Sequence, residues 1–197
     1  MTTKKYAKKY LSREIQLIES NEERMNALPE LTVYEKAIIF KYSEDGYLDL
    51  NETLRLSEGK DISNFGILLD KCLNKLPDYQ GIVFRGVEMT YNELDKYRLA
   101  FINKESVTEH FFLSTSESKA KAYEWSKGNY RVLFRILSKR GKVIESVTKY
   151  KIEKEILFRY NSDFIVDNFT LDENNNVYFT ELCTIWRSAK NGLICPI

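Results

Sequence analysis

Histidine is nearly absent from this chain: His110 is the only one in 197 residues. That weakens any site built on a histidine catalytic dyad or a histidine-rich metal cage. Cysteine is scarce as well. Cys72, Cys183 and Cys195 are widely separated and odd in number, which argues for reduced thiols rather than a disulfide framework or a zinc site. No apolar run approaches the ~20 residues that span a bilayer, so no membrane partner is expected. The N-terminal MTTKKYAKKY is basic, but no apolar segment follows it as in an export signal. Charge of one sign is not in excess either. Thirty basic residues meet 29 acidic ones, which offers nothing to nucleic acid. These absences describe a soluble protein. It works in the cytoplasm of the cell that makes it, or is secreted or delivered into a target cell without a recognisable signal peptide.

Core-forming material is plentiful, at 43% hydrophobic and 13% aromatic. It suffices for a single domain over 1–197, with a helical part over 1–79 and a strand-rich part over 80–197. Residues 4–28 carry apolar side chains near helical spacing, and Pro29 stops them. Thr32 and Glu35 form a capping-box pattern for a helix ending near Tyr42. Ser43 to Gly46 reads as a turn. Tyr47–Leu56 and Phe65–Leu76 read as two further helices. Beyond Pro77 the strands begin, at 81–85, 111–116, 130–137, 142–146 and from Glu153 onward. Short helices are predicted over 92–101 and 117–126, a turn at Lys139-Arg140-Gly141, and a closing hairpin over 164–185. The class is α+β.

Three stretches carry chemistry-bearing residues. The strand GIVFR ends in Arg85, whose guanidinium faces either an anionic ligand or an internal glutamate. The strand FFLSTS ends in Ser114, Thr115 and Ser116. Those hydroxyls cap the following helix or, with its free N–H groups, meet an anion. Glu153-Lys154-Glu155 opens an apolar run. On a strand the two acids would share a side, about 7 Å apart at the backbone. Alone, such a pair is a solvated strand edge.

Arg at one strand end, Ser-Thr-Ser at a second and Glu-x-Glu at a third together resemble the R-S-E class of mono-ADP-ribosyltransferases. The residues that match are Phe84-Arg85-Gly86, then Phe112-Leu113-Ser114-Thr115-Ser116, then Ser146, Tyr150, Glu153 and Glu155. The stretch KYSEDGYLDLNETLR is similar to the segment of clostridial binary-toxin enzymes in which a Tyr and an Asn nine residues later line the NAD cleft, here Tyr42 and Asn51. The resemblance spans about residues 32–165. It implies two small β-sheets packed around an NAD cleft, with the N-terminal helices over one side. It also implies NAD as co-substrate, no metal, and a target protein with an accessible arginine. A bacterial toxin or effector of this kind can also have an immunity or host-factor partner.

The resemblance assigns Arg85 to the NAD diphosphate, which paired charge-assisted bonds can hold. Gly86 lets backbone approach the nicotinamide amide. Ser114, Thr115 and Ser116 line the NAD side, and Ser114 positions the catalytic glutamate. Glu155 stabilises the cation that forms on the ribose as the nicotinamide bond breaks. Glu153 orients and deprotonates the acceptor, and a glutamate there implies a guanidinium acceptor. Tyr150 touches the target. Lys127, Asn129 and Arg131 are candidates for a further phosphate contact.

Other functions are weighed against this. Glycosidase carboxylates flank the scissile bond from opposite sides, which two neighbours on one strand do poorly. No GxGxxG follows a strand, so a Rossmann domain is excluded. An NAD glycohydrolase, or a non-catalytic NAD-binding or interaction module of the same fold, remains an alternative.

Overall fold

The computed structural model describes residues 1–173, 176–184, 186–188 and 192–194. The expected hairpin residues Asn174, Asn175 and Ile185, and Cys195, lie outside the described residues.

The first helical stretch is three helices rather than one: α1 (Thr3–Tyr10), α2 (Ser12–Glu19) and α3 (Glu22–Asn26). Apolar spacing does not register the breaks, which are made by local backbone. Leu11 leaves the helical region, and the Asn21 side chain accepts the Arg24 N–H to start α3 afresh. Helix α4 (Val33–Lys41) begins with the predicted reciprocal capping box of Thr32 and Glu35. The expected turn at Ser43 to Gly46 is a π-helical turn, Tyr42–Gly46, that carries the chain into α5 (Tyr47–Leu56). Such one-turn expansions occur often at functional sites. Helix α6 (Asn64–Leu73) completes this part, capped by Ser63.

Then come β1 (Tyr79–Glu88), α7 (Tyr91–Asn103), β2 (Ser106–Glu109), β3 (Leu113–Ser116), α8 (Lys119–Trp125) and β4 (Arg131–Val143). After two short 3-10 turns, Glu145–Val147 and Lys151–Glu153, come β5 (Glu155–Phe158), β6 (Ser162–Asp172) and β7 (Val177–Thr184). Strands β8 (Trp186–Ser188) and β9 (Gly192–Ile194) pair with each other. The predicted turn at Lys139-Arg140-Gly141 is absent, because β4 runs straight through it. Its pairing with β1 shifts register there instead, between Tyr79 and Gly81, as at a β-bulge.

The long β4 joins two limbs of sheet. Its first half lies between β1, antiparallel, and β7, parallel, and the limb continues to β6 and β2. Its far end pairs with β5 through Lys142 and Val143, β5 pairs with β3, and β3 returns to β1 at Phe84. The two expected sheets are therefore hydrogen-bonded to one another. Strands β3 and β5, with four residues each, are held on both edges. One apolar core buries Ile38, Ile39, Leu54, Leu69 and Leu73 of the helices against Phe112, Ile144 and Leu157, so the helical part seats directly on β3 and β5. A second core lies under α7, between Leu94 and Tyr97 and the residues Phe134, Phe158 and Phe164. Cys72 is a free buried thiol. Cys183 takes part in a disulfide, which corrects the expectation of a reduced thiol there. No helix among the described residues is long and apolar enough to cross a membrane.

Candidate active site

Strands β1, β3 and β5 lie side by side and carry the three motifs, with Arg85 inside β1, which its pairing with β4 carries on to Glu88, rather than at a strand end as expected. Pairing sets the register: Phe84 lies opposite Ser116, and Ser116 opposite Glu155. A cavity of about 440 Å³ opens at this point, walled by Arg85, Gly86, Ser114, Glu153, Glu155 and Tyr150, with Tyr42 and Asn51 from the helical side.

The acids do not share a strand face. Glu153 closes a 3-10 turn, Lys154 adopts a left-handed backbone (φ 46°), and only Glu155 begins β5. Left-handed backbone is costly for a residue with a Cβ. Here it turns the chain between the acids, so the strand-period expectation fails while both acids still face the cavity. Their surroundings differ. Glu155 is 5% exposed, and Ser114 Oγ donates to its Oε1 at 2.7 Å. Burial pushes the Glu155 carboxyl up to about 7. Glu153 adds to the rise, while the Ser114 bond and Arg85 hold it down. Glu153 is partly buried, and burial raises its carboxyl too, with Lys121 acting against it.

The hydroxyl triplet does not cap α8. That cap is Ser118, whose hydroxyl accepts the Lys121 N–H. Each hydroxyl of the triplet instead holds a different residue of the acid segment. Ser114 bonds the Glu155 carboxylate. Thr115 Oγ1 donates to the Ile156 carbonyl at 2.6 Å, and Ser116 Oγ to the Glu153 carbonyl at 2.5 Å. Thr115 and Ser116 are fully buried, and neither lies on the cavity wall, where the sequence reading expected them to meet NAD.

Tyr42 and Asn51 are buried and act on the same strand. Asn51 exchanges two bonds with the Phe112 backbone, its Oδ1 accepting the N–H and its Nδ2 donating to the carbonyl, each at 3.1 Å. Tyr42 Oη donates to that carbonyl at 3.2 Å. A side chain thus takes the place of a neighbouring strand at the entry to β3. Burial pushes the Tyr42 phenol far up, so it stays a neutral donor.

Arg85 donates to the Ser114 carbonyl at 2.8 Å. Among the described residues no carboxylate comes within ion-pair distance of it, so the internal-pair alternative falls. Burial and then Arg55 disfavour its charge, while Glu109 supports it from behind. Gly86 has a steric reason to be glycine: a Cβ there would overlap the Ala122 carbonyl of α8. Of the phosphate candidates, Arg131 donates to the Ser126 carbonyl and stacks over Tyr123. Neither it nor Lys127, Asn129 or Ser146 is on the cavity wall.

A profile described as ADP-ribosyltransferase exoenzyme matches residues 4–184. The chain belongs to the ADP-ribosyltransferase exoenzyme family. It is 39% identical over 140 residues to a Mycobacterium avium protein, Mav, provisionally named an NAD(+)–arginine ADP-ribosyltransferase. That match covers 69% of this chain and 16% of the relative. It is 27% identical over 160 residues to Vis of Vibrio splendidus, named likewise, across 74% of this chain and 63% of that one. The chain therefore spans less than two thirds of either relative. Among solved structures, HopU1 of Pseudomonas syringae superposes with a TM-score of 0.73 at 21% identity, covering 89% of this chain and 87% of that one. Vis in complex with agmatine gives 0.66 at 24% identity, covering 91% and 88%.

The site has members that the motifs did not announce. Arg55, on α5, lies at the cavity four residues after Asn51, one helical turn on. Its guanidinium stacks over the Phe111 ring at 4.0 Å. A second cavity of about 350 Å³ adjoins the first and shares Arg55 and Arg85 with it, reaching toward Glu109 and α7. Glu109, buried, accepts from Tyr97 Oη at 2.6 Å. The i, i+4 spacing could have pointed to Arg55. Nothing local could have pointed to Glu109.

Proposed function

We propose that the chain breaks the nicotinamide–ribose bond of NAD and joins the ADP-ribose to an arginine side chain of a target protein, releasing nicotinamide. The observation that carries this is the pairing of Glu155, buried and hydrogen-bonded to Ser114, with a cleft whose cations, Arg55 and Arg85, have no acid partner of their own among the described residues. Two unpaired guanidiniums in one groove suit a diphosphate. Two adjoining cavities that share them suit an extended dinucleotide.

Arg85, with Arg55, holds the diphosphate. Glu155, ionised, stabilises the positive charge that develops on the ribose as nicotinamide leaves with the bonding electrons. A guanidinium nitrogen of the acceptor then bonds to the ribose carbon, and Glu153 takes the proton that this nitrogen loses. Its raised pKa suits a base. Tyr150, 46% exposed on the same loop, meets the target. Thr115, Ser116, Tyr42 and Asn51 act through the strands they hold. Arginine as acceptor draws support from the names of Mav and Vis and from agmatine, a guanidinium compound, in the Vis structure. An effector of this kind acts where NAD and its target meet, in a cell's cytoplasm, and can have an immunity or host-factor protein as partner.

The test is incubation with NAD labelled in the ADP-ribose and a cell lysate, followed by mass spectrometry. Label on arginine of a protein band supports transfer. Free ADP-ribose alone would make the chain a glycohydrolase, and no turnover would make it a binding module.

A further inference from the structure

The loop over 147–154 carries Tyr150 and Glu153 yet belongs to no sheet, and Ile152 on it is 73% exposed. Val147 anchors its start in the apolar core and the Ser116 hydroxyl holds the Glu153 carbonyl near its end; between these points the loop is tied to the helical part by polar contacts. Glu44, in the π-helical turn, is the hub. Its side chain is 8% exposed. It accepts two bonds from the Arg13 guanidinium of α2, at 2.6 and 2.9 Å, and pairs with Lys149 of the loop at 3.0 Å. The Lys149 N–H donates to Ser43 Oγ at 3.1 Å, and Ser43 in turn donates to the Phe40 carbonyl at 2.9 Å. Either side of this, Arg24 donates to the Thr148 carbonyl at 3.3 Å, and Lys151 pairs with Glu23 of α3. Three loop residues, 148, 149 and 151, are thus tied to segments more than a hundred positions earlier.

We propose that Glu44 is a positioning residue for the acceptor side of the reaction. Held by Arg13 on α2, it fixes Lys149 and with it the loop, so that Glu153 faces the cleft. The inference rests on the reading of Glu153 as the acceptor's base. Isolated exposed ion pairs contribute little to stability, whereas a bidentate arginine–carboxylate pair within a network fixes geometry. The Arg13 and Lys149 bonds hold the Glu44 carboxyl near 2 against its burial, so the hub stays charged at any working pH. The π-helical turn also supplies Tyr42, so one segment touches both the strand that carries Ser114 and the loop that carries Glu153. Misplacement of a catalytic group by an ångström is costly to rate while leaving the fold intact.

The experiment compares the unaltered chain with Lys149→Ala, Lys149→Arg, Glu44→Gln, Arg13→Ala and the double variant Glu44→Gln/Lys149→Ala. Transfer to agmatine, NAD hydrolysis, the KM for NAD and the melting temperature are measured for each. Lys149→Ala and Glu44→Gln should each lower kcat/KM for transfer about tenfold. Hydrolysis and the KM for NAD should stay within about twofold. The double variant should be no worse than the poorer single one, since the residues act as a unit. Lys149→Arg should restore transfer. Arg13→Ala should fall between. Normal transfer by Lys149→Ala would overturn the positioning role alone. So would an equal loss of both reactions that tracks a lower melting temperature, which is what a merely structural role gives. Absence of transfer by the unaltered chain would sink the acceptor reading, and this inference with it.

Discussion

Glu155 and Glu153 stand two residues apart and belong to different kinds of structure. The Glu155 wall is sheet. It is the first residue of β5, between β3 and β4, buried, with its carboxylate on Ser114. The Glu153 wall is a turn, held by the Ser116 hydroxyl beneath it and by charged contacts to the N-terminal helices. One wall is built of apolar burial and ladder bonds, the other of a network of charged ties that fixes a loop outside the sheet. A reaction with a fixed donor and a variable protein acceptor has use for both. On the reading proposed above, the group that stabilises the sugar cation stands on the sheet wall, and the group that receives the acceptor stands on the loop wall.

The sharpest way to break this comparison is to remove each acid's charge in turn. Glu155→Gln should abolish NAD hydrolysis and arginine modification together, by about a thousandfold or more, the scale of losing an aligned electrostatic group. It should also stabilise the protein at alkaline pH. The folded pKa of about 7 lies above the ordinary 4.5. Between those values the folded chain holds a proton that the unfolded chain has lost. Stability is therefore full below about 4.5, falls as pH rises to about 7, and stays lower above it. Gln does not ionise, so by this linkage the variant should gain about 3 kcal/mol over the unaltered chain at pH 8 and nothing at pH 4. Melting curves at the two pH values check this. Full activity in Glu155→Gln would end the transferase reading.

Glu153→Gln should cut transfer to arginine by about a hundredfold, within the range of general-base contributions, while hydrolysis remains measurable. Equal loss of both reactions would show that the two walls work as one.

Arg85→Ala tests the groove both walls face. NAD affinity, measured by calorimetry, should weaken by about 2 kcal/mol, the scale of hydrogen bonds to a charged group, with the fold retained. Arg85→Lys should recover little, because a point charge cannot make the paired contact. Unchanged affinity in the alanine variant would make Arg85 a residue that only supports the Ser114 carbonyl.

What could be read in the sequence divides along the same line as the two walls. The capping box at Thr32 and Glu35 and the bounds of α5 are local, set by residues three or four apart, and the structure has both as predicted. The Arg, Ser-Thr-Ser and Glu-x-Glu stretches were recognisable as a pattern, and the cleft gathers Arg85, Ser114, Glu153 and Glu155. Their local geometry was not readable. Lys154 in left-handed conformation defeats a period-two argument. Thr115 and Ser116 turn out to hold carbonyls because β3 lies beside β5, a pairing across some forty residues. The charged ties of the loop are more distant still. Arg13 and Glu44 look, in sequence, like any solvated helix charges, and only the packing of α2 against α4 brings them together. Likewise Arg140 and Gly141 have the composition of a turn, and the strand neighbours that keep β4 extended through them are distant in sequence.

Ser114 is where the rigid wall can be loosened by a single atom, and the expected effect is smaller than those above. Its hydroxyl donates to Glu155 and is one of the influences that hold that carboxyl down. With Ser114→Ala, burial and the Glu153 charge act unopposed by the hydroxyl, so the Glu155 pKa rises further above about 7. If the ionised form is the active one, the acidic limb of the kcat/KM profile for hydrolysis moves to higher pH. The loss of activity should then be large near pH 6 and partly recovered near pH 9, where even the shifted group ionises. Stability should fall by about 1 kcal/mol, the usual worth of one buried hydrogen bond. That corresponds to about 2–4 °C in melting temperature for a chain of this length, too little to account for an activity loss well below the transition. A pH-independent loss would mean that Ser114 fixes the orientation of the carboxylate without tuning its charge. A loss that tracks unfolding would return the hydroxyl to a purely structural role.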